Sequence, residues 1–166
     1  MTSEIIITIL IGYLFGCIQS AYLISKFFGK IDIRDHGSGN AGASNITTIM
    51  GWKYGVVVAF IDSLKAVGAV WVTQAAYPAN PTLPYLAGIM AILGHNFPFY
   101  LKFRGGKGVA TLVGMIFGLK FPLGFLFILL VILPALVADY IVVGSLTAFI
   151  ALPITAYFLG YRIELI

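Results

Sequence analysis

Charge is what this chain has least of. Only 10% of its 166 residues are Asp, Glu, Lys or Arg, against about 25% in soluble domains. Hydrophobic residues make up 60%, more apolar surface than a soluble domain of this size could hide, so lipid must be the main solvent. Cysteine is almost absent: Cys17 stands alone in an apolar segment, which excludes an internal disulfide. The carboxylates are few and dispersed, and no His/Cys pair has zinc spacing, so no metal site is expected. No Ser-His-Asp set can be argued either, because nothing in the sequence places a base beside a nucleophile. The net charge of +4 could suggest nucleic acid, but the basic residues flank apolar segments without interleaved aromatics. Anionic headgroups and phosphates explain them better. The first apolar stretch has no basic region before it, Glu4 being the only charge there, and reads as a retained span rather than a cleaved signal.

A membrane-crossing helix needs roughly 20 apolar residues. Residues 5–27, 54–77 and 83–101 qualify, as do 121–140 and 141–160, which carry Pro134 and Pro153 as expected kinks. Residues 109–119 are too short to cross unaided, and their spaced Gly114 and Gly118 suggest a half-span or tilted helix. The expected fold is therefore all-α: a polytopic membrane helical bundle of about six apolar segments in a single domain, 1–166. Gly12, Gly16, Gln19 and Ser20 mark a face of the first span suited to close helix contact. Lys26, Lys30, Arg34 and Lys53 bracket the loop near 28–53, and Lys102, Arg104 and Lys107 occupy the loop near 102–108, whereas 78–82 carries no charge. The two basic loops are expected on the cytoplasmic face, with the N-terminus, Lys120 and Arg162 outside.

Both basic loops are rich in glycine. The first contains Gly37-Ser38-Gly39-Asn40-Ala41-Gly42-Ala43-Ser44-Asn45; the second contains Arg104-Gly105-Gly106-Lys107-Gly108. Glycine lets backbone approach a ligand closely, and short loops of free N–H groups beside cations suit phosphate. The first loop by itself could equally be an ordinary polar turn. The second lacks the G-x-x-x-x-G-K-[ST] spacing, which excludes a P-loop NTPase. Within the second span, Asp62 and Lys65 lie at i and i+3. An ionisable group inside a membrane raises a functional hypothesis, and an internal structural pair is the other reading. His95, in Gly94-His95-Asn96-Phe97-Pro98, is either a structural histidine or a phosphate contact, the second favoured by its place just before the cationic loop. His36 sits beside Asp35 in a polar loop and reads as solvated.

Taken together, these motifs resemble the acyl-phosphate-dependent glycerol-3-phosphate acyltransferases of bacterial membranes, the PlsY family. The resemblance rests on Gly16 through Tyr22, Ile31-Asp32-Ile33-Arg34 with the first glycine loop, Asp62-x-x-Lys65, Gly94-His95-Asn96-Phe97-Pro98, and Phe103 through Thr111, in that order. It implies a seven-span enzyme of the bacterial inner membrane that moves a fatty acyl group from acyl-phosphate to the 1-hydroxyl of glycerol-3-phosphate. Lysophosphatidate and phosphate would be the products, and neither a cofactor nor a metal would be needed. Carried onto this chain, it implies His95, Lys107 and Asn40 as catalytic candidates. Ser38, Gly39 and Asn45 from the first loop, Arg104, Gly105, Gly106 and Gly108 from the second, and Ser145 farther on would bind substrate. The partners implied are the two substrates and membrane lipid, with no nucleic acid. Acyl-phosphate already carries a good leaving group, so positioning and charge stabilisation could suffice.

The chain departs from the family at Thr48, where the pattern Asn-x-x-Arg would supply a phosphate-binding Arg. Arg binds phosphate as a bidentate fork that other side chains replace poorly. Cys17 and Ser44 replace the usual Ser and Thr, and the family's seventh span with its Arg-His-x-x-Asn segment would fall beyond Ile166. These departures favour an alternative expectation, a catalytically impaired homologue serving as a lipid- or phosphate-binding protein or partner subunit. A transporter lined by Asp62 and Lys65 is a weaker third, since the polar motifs cluster on one side.

Overall fold

The computed structural model describes residues 2–159, all helix, turn or loop; Arg162 lies outside the described residues. The chain forms two compact units, residues 1–119 and 120–166. In the first, the order is α1 (Thr2–Gly16), α2 (Ser20–Ile24), a π turn at Ser25–Gly29, a 3-10 turn at Ile33–Asp35, α3 (Ala43–Met50), α4 (Trp52–Ala76), α5 (Leu83–Asn96) and α6 (Val109–Leu119). The second holds α7 (Phe121–Ala138) and α8 (Ile141–Phe158).

Among the described residues, four helical stretches, Thr2–Gly29, Trp52–Ala76, Phe121–Ala138 and Ile141–Phe158, are long and apolar enough to cross a membrane. Their outward faces carry large apolar residues, among them Leu14, Phe60, Leu133 and Ile150. Such surface is stable only against lipid or another apolar partner. Small residues set the helix spacing in the first unit. A Cβ at Gly16 of α1 would overlap the carbonyl of Ala91 on α5, and one at Gly114 of α6 would overlap the carbonyl of Ser63 on α4. Without a strong hydrophobic drive between helices in lipid, this close backbone approach supplies the packing energy. In the second unit a Cβ at Gly144 would meet the Val131 carbonyl, and Phe127 packs edge-on against Phe149 with ring centroids 6.0 Å apart.

Three segments differ from the sequence-based expectation. Residues 28–53, read as a loop, contain α3, which starts after Gly42 and buries Ile46 in a cluster with Ile33, Ala41 and Val58. Its eight residues are too few to show amphipathic periodicity against the surrounding polar run. The first span is interrupted between Gly16 and Ser20, where the Gln19 side chain turns inward and donates to the His95 carbonyl at 2.8 Å. The third ends at Asn96 rather than residue 101: Pro98 disfavours helical backbone at Phe97, and a 3-10 turn at Phe99–Leu101 follows.

Candidate active site

The first glycine loop is held in shape by Asn45, buried in the first turn of α3. Its amide nitrogen donates to the carbonyls of Ile33, His36 and Asn40, each at 3.0 Å, and its Oδ1 accepts from the Ser38 amide at 2.9 Å. Gly37 (φ 58°) must be glycine because a Cβ there would overlap Asn45 Oδ1 as well as strain the left-handed backbone. Asn45 thus spends its polar atoms on the loop. Ser38 is exposed, Gly39 and Asn40 are half-buried, and the Asn40 amide lies beside Gly42.

The second loop folds back on the end of α5. The amides of Gly105 and Gly106 donate to the carbonyls of Asn96 and His95 at 3.1 and 3.0 Å. The two loops then meet: the Ala41 amide donates to the Gly105 carbonyl at 3.2 Å. Gly106 is wedged where a Cβ would collide with the His95 ring at Nε2 and sit 2.9 Å from the Ala41 carbonyl. Lys107 is exposed immediately before the N-terminus of α6, with Arg104 exposed on the same loop. A cation and free helix-end amides together form an anion-binding arrangement.

A strut fixes the approach of the loops. Arg34 binds the Asp32 carboxylate through Nε at 2.9 Å and a second guanidinium nitrogen at 2.6 Å, and its remaining nitrogen donates to the Leu101 carbonyl at 2.9 Å. Its guanidinium also lies 5.1 Å from the centroid of the Tyr22 ring. Hydrogen bonds from Arg34 hold the Asp32 carboxyl below its ordinary range, and Asp32 in turn raises the Arg34 guanidinium.

Beneath the loops, Asp62 and Lys65 of α4 meet His95 of α5, all three buried. Lys65 Nζ lies 2.9 Å from Asp62 Oδ1, 2.7 Å from His95 Nδ1 and 2.6 Å from the Ile18 carbonyl. The Ser20 hydroxyl donates to the same Asp62 oxygen at 2.9 Å. Sequence reasoning found Asp62, Lys65 and His95 separately but had no signal that they touch across 30 residues. It also missed the Arg34 strut, whose partner is a backbone carbonyl on the other loop. Ser145, the remaining candidate, lies on α8 in the second unit, its hydroxyl donating to the Ile141 carbonyl at 3.0 Å.

The comparisons with known proteins decide the family. Residues 6–166 match the family model for glycerol-3-phosphate acyltransferase. The chain belongs to the glycerol-3-phosphate acyltransferase family. It is 40% identical over 161 residues to glycerol-3-phosphate acyltransferase 1 of Oceanobacillus iheyensis, covering 93% of this chain and 77% of that protein. It is 42% identical over 142 residues to the glycerol-3-phosphate acyltransferase of Thermoanaerobacter pseudethanolicus, covering 86% and 71%. The crystal structure of PlsY, an integral membrane glycerol 3-phosphate acyltransferase, in its glycerol 3-phosphate form superposes with a TM-score of 0.86 at 32% identity, covering 96% of this chain and 79% of that one. Its lysophosphatidic acid form gives a TM-score of 0.84 at 31% identity. As a member of the glycerol-3-phosphate acyltransferase family, the chain is a multi-pass integral membrane protein and an acyltransferase of phospholipid synthesis.

Proposed function

We propose that the chain transfers a fatty acyl group from acyl-phosphate to the 1-hydroxyl of glycerol-3-phosphate at the surface where its two glycine loops meet. The observation that carries this reading is the contact of Ala41 with Gly105 above His95, which gathers phosphate-binding features of both loops into one place. The homologous PlsY has been crystallised in glycerol 3-phosphate and lysophosphatidic acid forms, which supports the same acceptor and product here.

The 1-hydroxyl oxygen attacks the acyl carbonyl carbon, the bond from that carbon to the phosphate oxygen breaks, and inorganic phosphate leaves. The hydroxyl proton passes to a phosphate oxygen of the substrates. No protein nucleophile is required, because the mixed anhydride is already activated. What the chain supplies is position and positive charge. Lys107, with the Gly108 backbone, binds a phosphoryl group, and Arg104 adds charge nearby. Gly105, Gly106 and Gly39, whose amides are spent on the Asn96, His95 and His36 carbonyls, act by shaping the loops, while the Ser38 and Asn40 side chains face substrate oxygens. Asn45 acts by holding that loop. The membrane is the bacterial inner membrane, and the Lys/Arg-rich loops face the cytoplasm.

Thr48 supports a second reading, reduced acceptor affinity, because it is exposed on α3 and its hydroxyl turns back to the Ser44 carbonyl at 3.2 Å. A donor panel tests the main reading: purified protein given glycerol-3-phosphate with acyl-phosphate or with acyl-thioester. Product from acyl-phosphate alone is the expected result; product from the thioester alone would overturn the donor assignment.

A further inference from the structure

The buried Asp62–Lys65–His95 cluster has a chemical consequence for the loop above it. A lysine ammonium has three N–H donors and no acceptor. Lys65 directs Nζ at three partners: the Ile18 carbonyl at 2.6 Å, Asp62 Oδ1 at 2.9 Å and His95 Nδ1 at 2.7 Å. Asp62 Oδ1 accepts from both Lys65 Nζ and the Ser20 hydroxyl at 2.9 Å each, so the carboxylate and the ammonium are each other's counter-charge. An ammonium can bond Nδ1 only if that nitrogen offers its lone pair. The ring proton of a neutral imidazole then resides on Nε2. That nitrogen is the one against Gly106, next to Lys107.

We propose that Lys65, anchored by Asp62, is a positioning residue that fixes His95 as the Nε2–H tautomer and so makes it a hydrogen-bond donor to the phosphoryl group at the second glycine loop. The proposal rests on the phosphate-binding reading of that loop given above. It gives the intramembrane pair a role beyond holding α4 together. The Gln19 bond to the His95 carbonyl at 2.8 Å and the Gly106 amide bond to the same carbonyl at 3.0 Å fix the backbone from which the ring projects. The ring is therefore held at its backbone and at Nδ1, leaving Nε2 as the end that meets the loop.

The chain has two histidines, so a His36→Gln variant leaves His95 as the sole source of imidazole signals. Nitrogen NMR of the 15N-histidine-labelled variant in lipid nanodiscs at neutral pH reads the tautomer directly. The expected spectrum has one protonated nitrogen, assigned to Nε2 through its couplings to both ring carbon-bound protons. A protonated Nδ1, or a doubly protonated ring, overturns the proposal whether or not the double variant described next folds. Removing one partner of a buried ion pair strands the other charge, so the second arm removes both, Asp62→Asn with Lys65→Met. Loss of the single tautomer in that folded variant is expected; an unchanged Nε2–H signal overturns the role of Lys65. In the third arm, inorganic phosphate is titrated with calorimetry in parallel. A shift of Nε2 larger than that of Nδ1 is expected. Phosphate that binds by calorimetry without moving Nε2 overturns donation by His95 alone, whereas no phosphate binding at all overturns the loop reading and donation with it.

Discussion

The Ala41 amide and the Gly105 carbonyl, 64 positions apart in sequence, are joined by a hydrogen bond of 3.2 Å. Because of it, the Asn45-stapled loop and the Lys107 loop form one surface, and each candidate residue in the first unit can be tested against that geometry.

Lys107 and Lys102 offer the sharpest contrast. Both are exposed, but Lys107 lies between Gly106 and Gly108 before α6, whereas Lys102 follows the 3-10 turn at Phe99–Leu101. A charge-assisted hydrogen bond contributes about 1.5–3 kcal/mol, so Lys107→Ala should weaken phosphate binding by roughly one to two orders of magnitude. Lys102→Ala, which removes a side chain suited to snorkel toward headgroups, should cost less than about threefold. Calorimetry with inorganic phosphate decides, and equal losses would count against the Lys107 assignment.

Gly106→Ala should displace the His95 ring, because the new methyl would overlap Nε2 and crowd the Ala41 carbonyl. Overpacking of this kind costs about 1–3 kcal/mol. The expected result is a large fall in acyl transfer with helical circular dichroism retained. Full activity would show that the two loops separate easily.

At Thr48 the expected change is a gain. Its hydroxyl caps only the Ser44 carbonyl within α3, so Thr48→Arg sacrifices no buried contact. A new guanidinium beside the first loop should lower KM for glycerol-3-phosphate by about tenfold. An unchanged KM would place this position away from the acceptor.

Acid should loosen the strut between the loops. Hydrogen bonds from Arg34 lower the Asp32 carboxyl below its ordinary value. The stability it contributes is therefore fully present above the unfolded carboxyl pKa and is lost as pH falls through the lower folded value. Thermal unfolding followed from pH 6 down to pH 3 should fall more steeply for the wild type than for Asp32→Asn, with pH values chosen around the usual carboxylate range. Parallel curves would show that this pair contributes nothing measurable.

Much of this architecture was legible because membrane segments announce themselves. The apolar run over residues 54–77 predicts a span despite Asp62 and Lys65, and α4 occupies Trp52–Ala76. The loops themselves were legible in the same way, since Gly37 through Gly42 and Gly105 through Gly108 can hardly serve any regular element. The short α3 was hidden among polar residues, and its helical state depends on Ile46 finding Ile33 and Val58. Long-range partners were not legible. Nothing local in Lys65 tells that His95 waits 2.7 Å away, and nothing in Arg34 points to the Leu101 carbonyl. Asn45 looked like a substrate ligand because its amide suits phosphate oxygens; in the fold, four backbone groups of its own loop occupy that amide.

The central claim is tested most directly by balancing the reaction itself. Purified protein in lipid is given acyl-phosphate and radiolabelled glycerol-3-phosphate, and labelled lysophosphatidate and released inorganic phosphate are counted together. Equal amounts of the two, with the acyl group on the 1-hydroxyl, and loss of both in Lys107→Ala, are the results the account predicts. Phosphate release without lysophosphatidate, or acylation undiminished in Lys107→Ala, would contradict it.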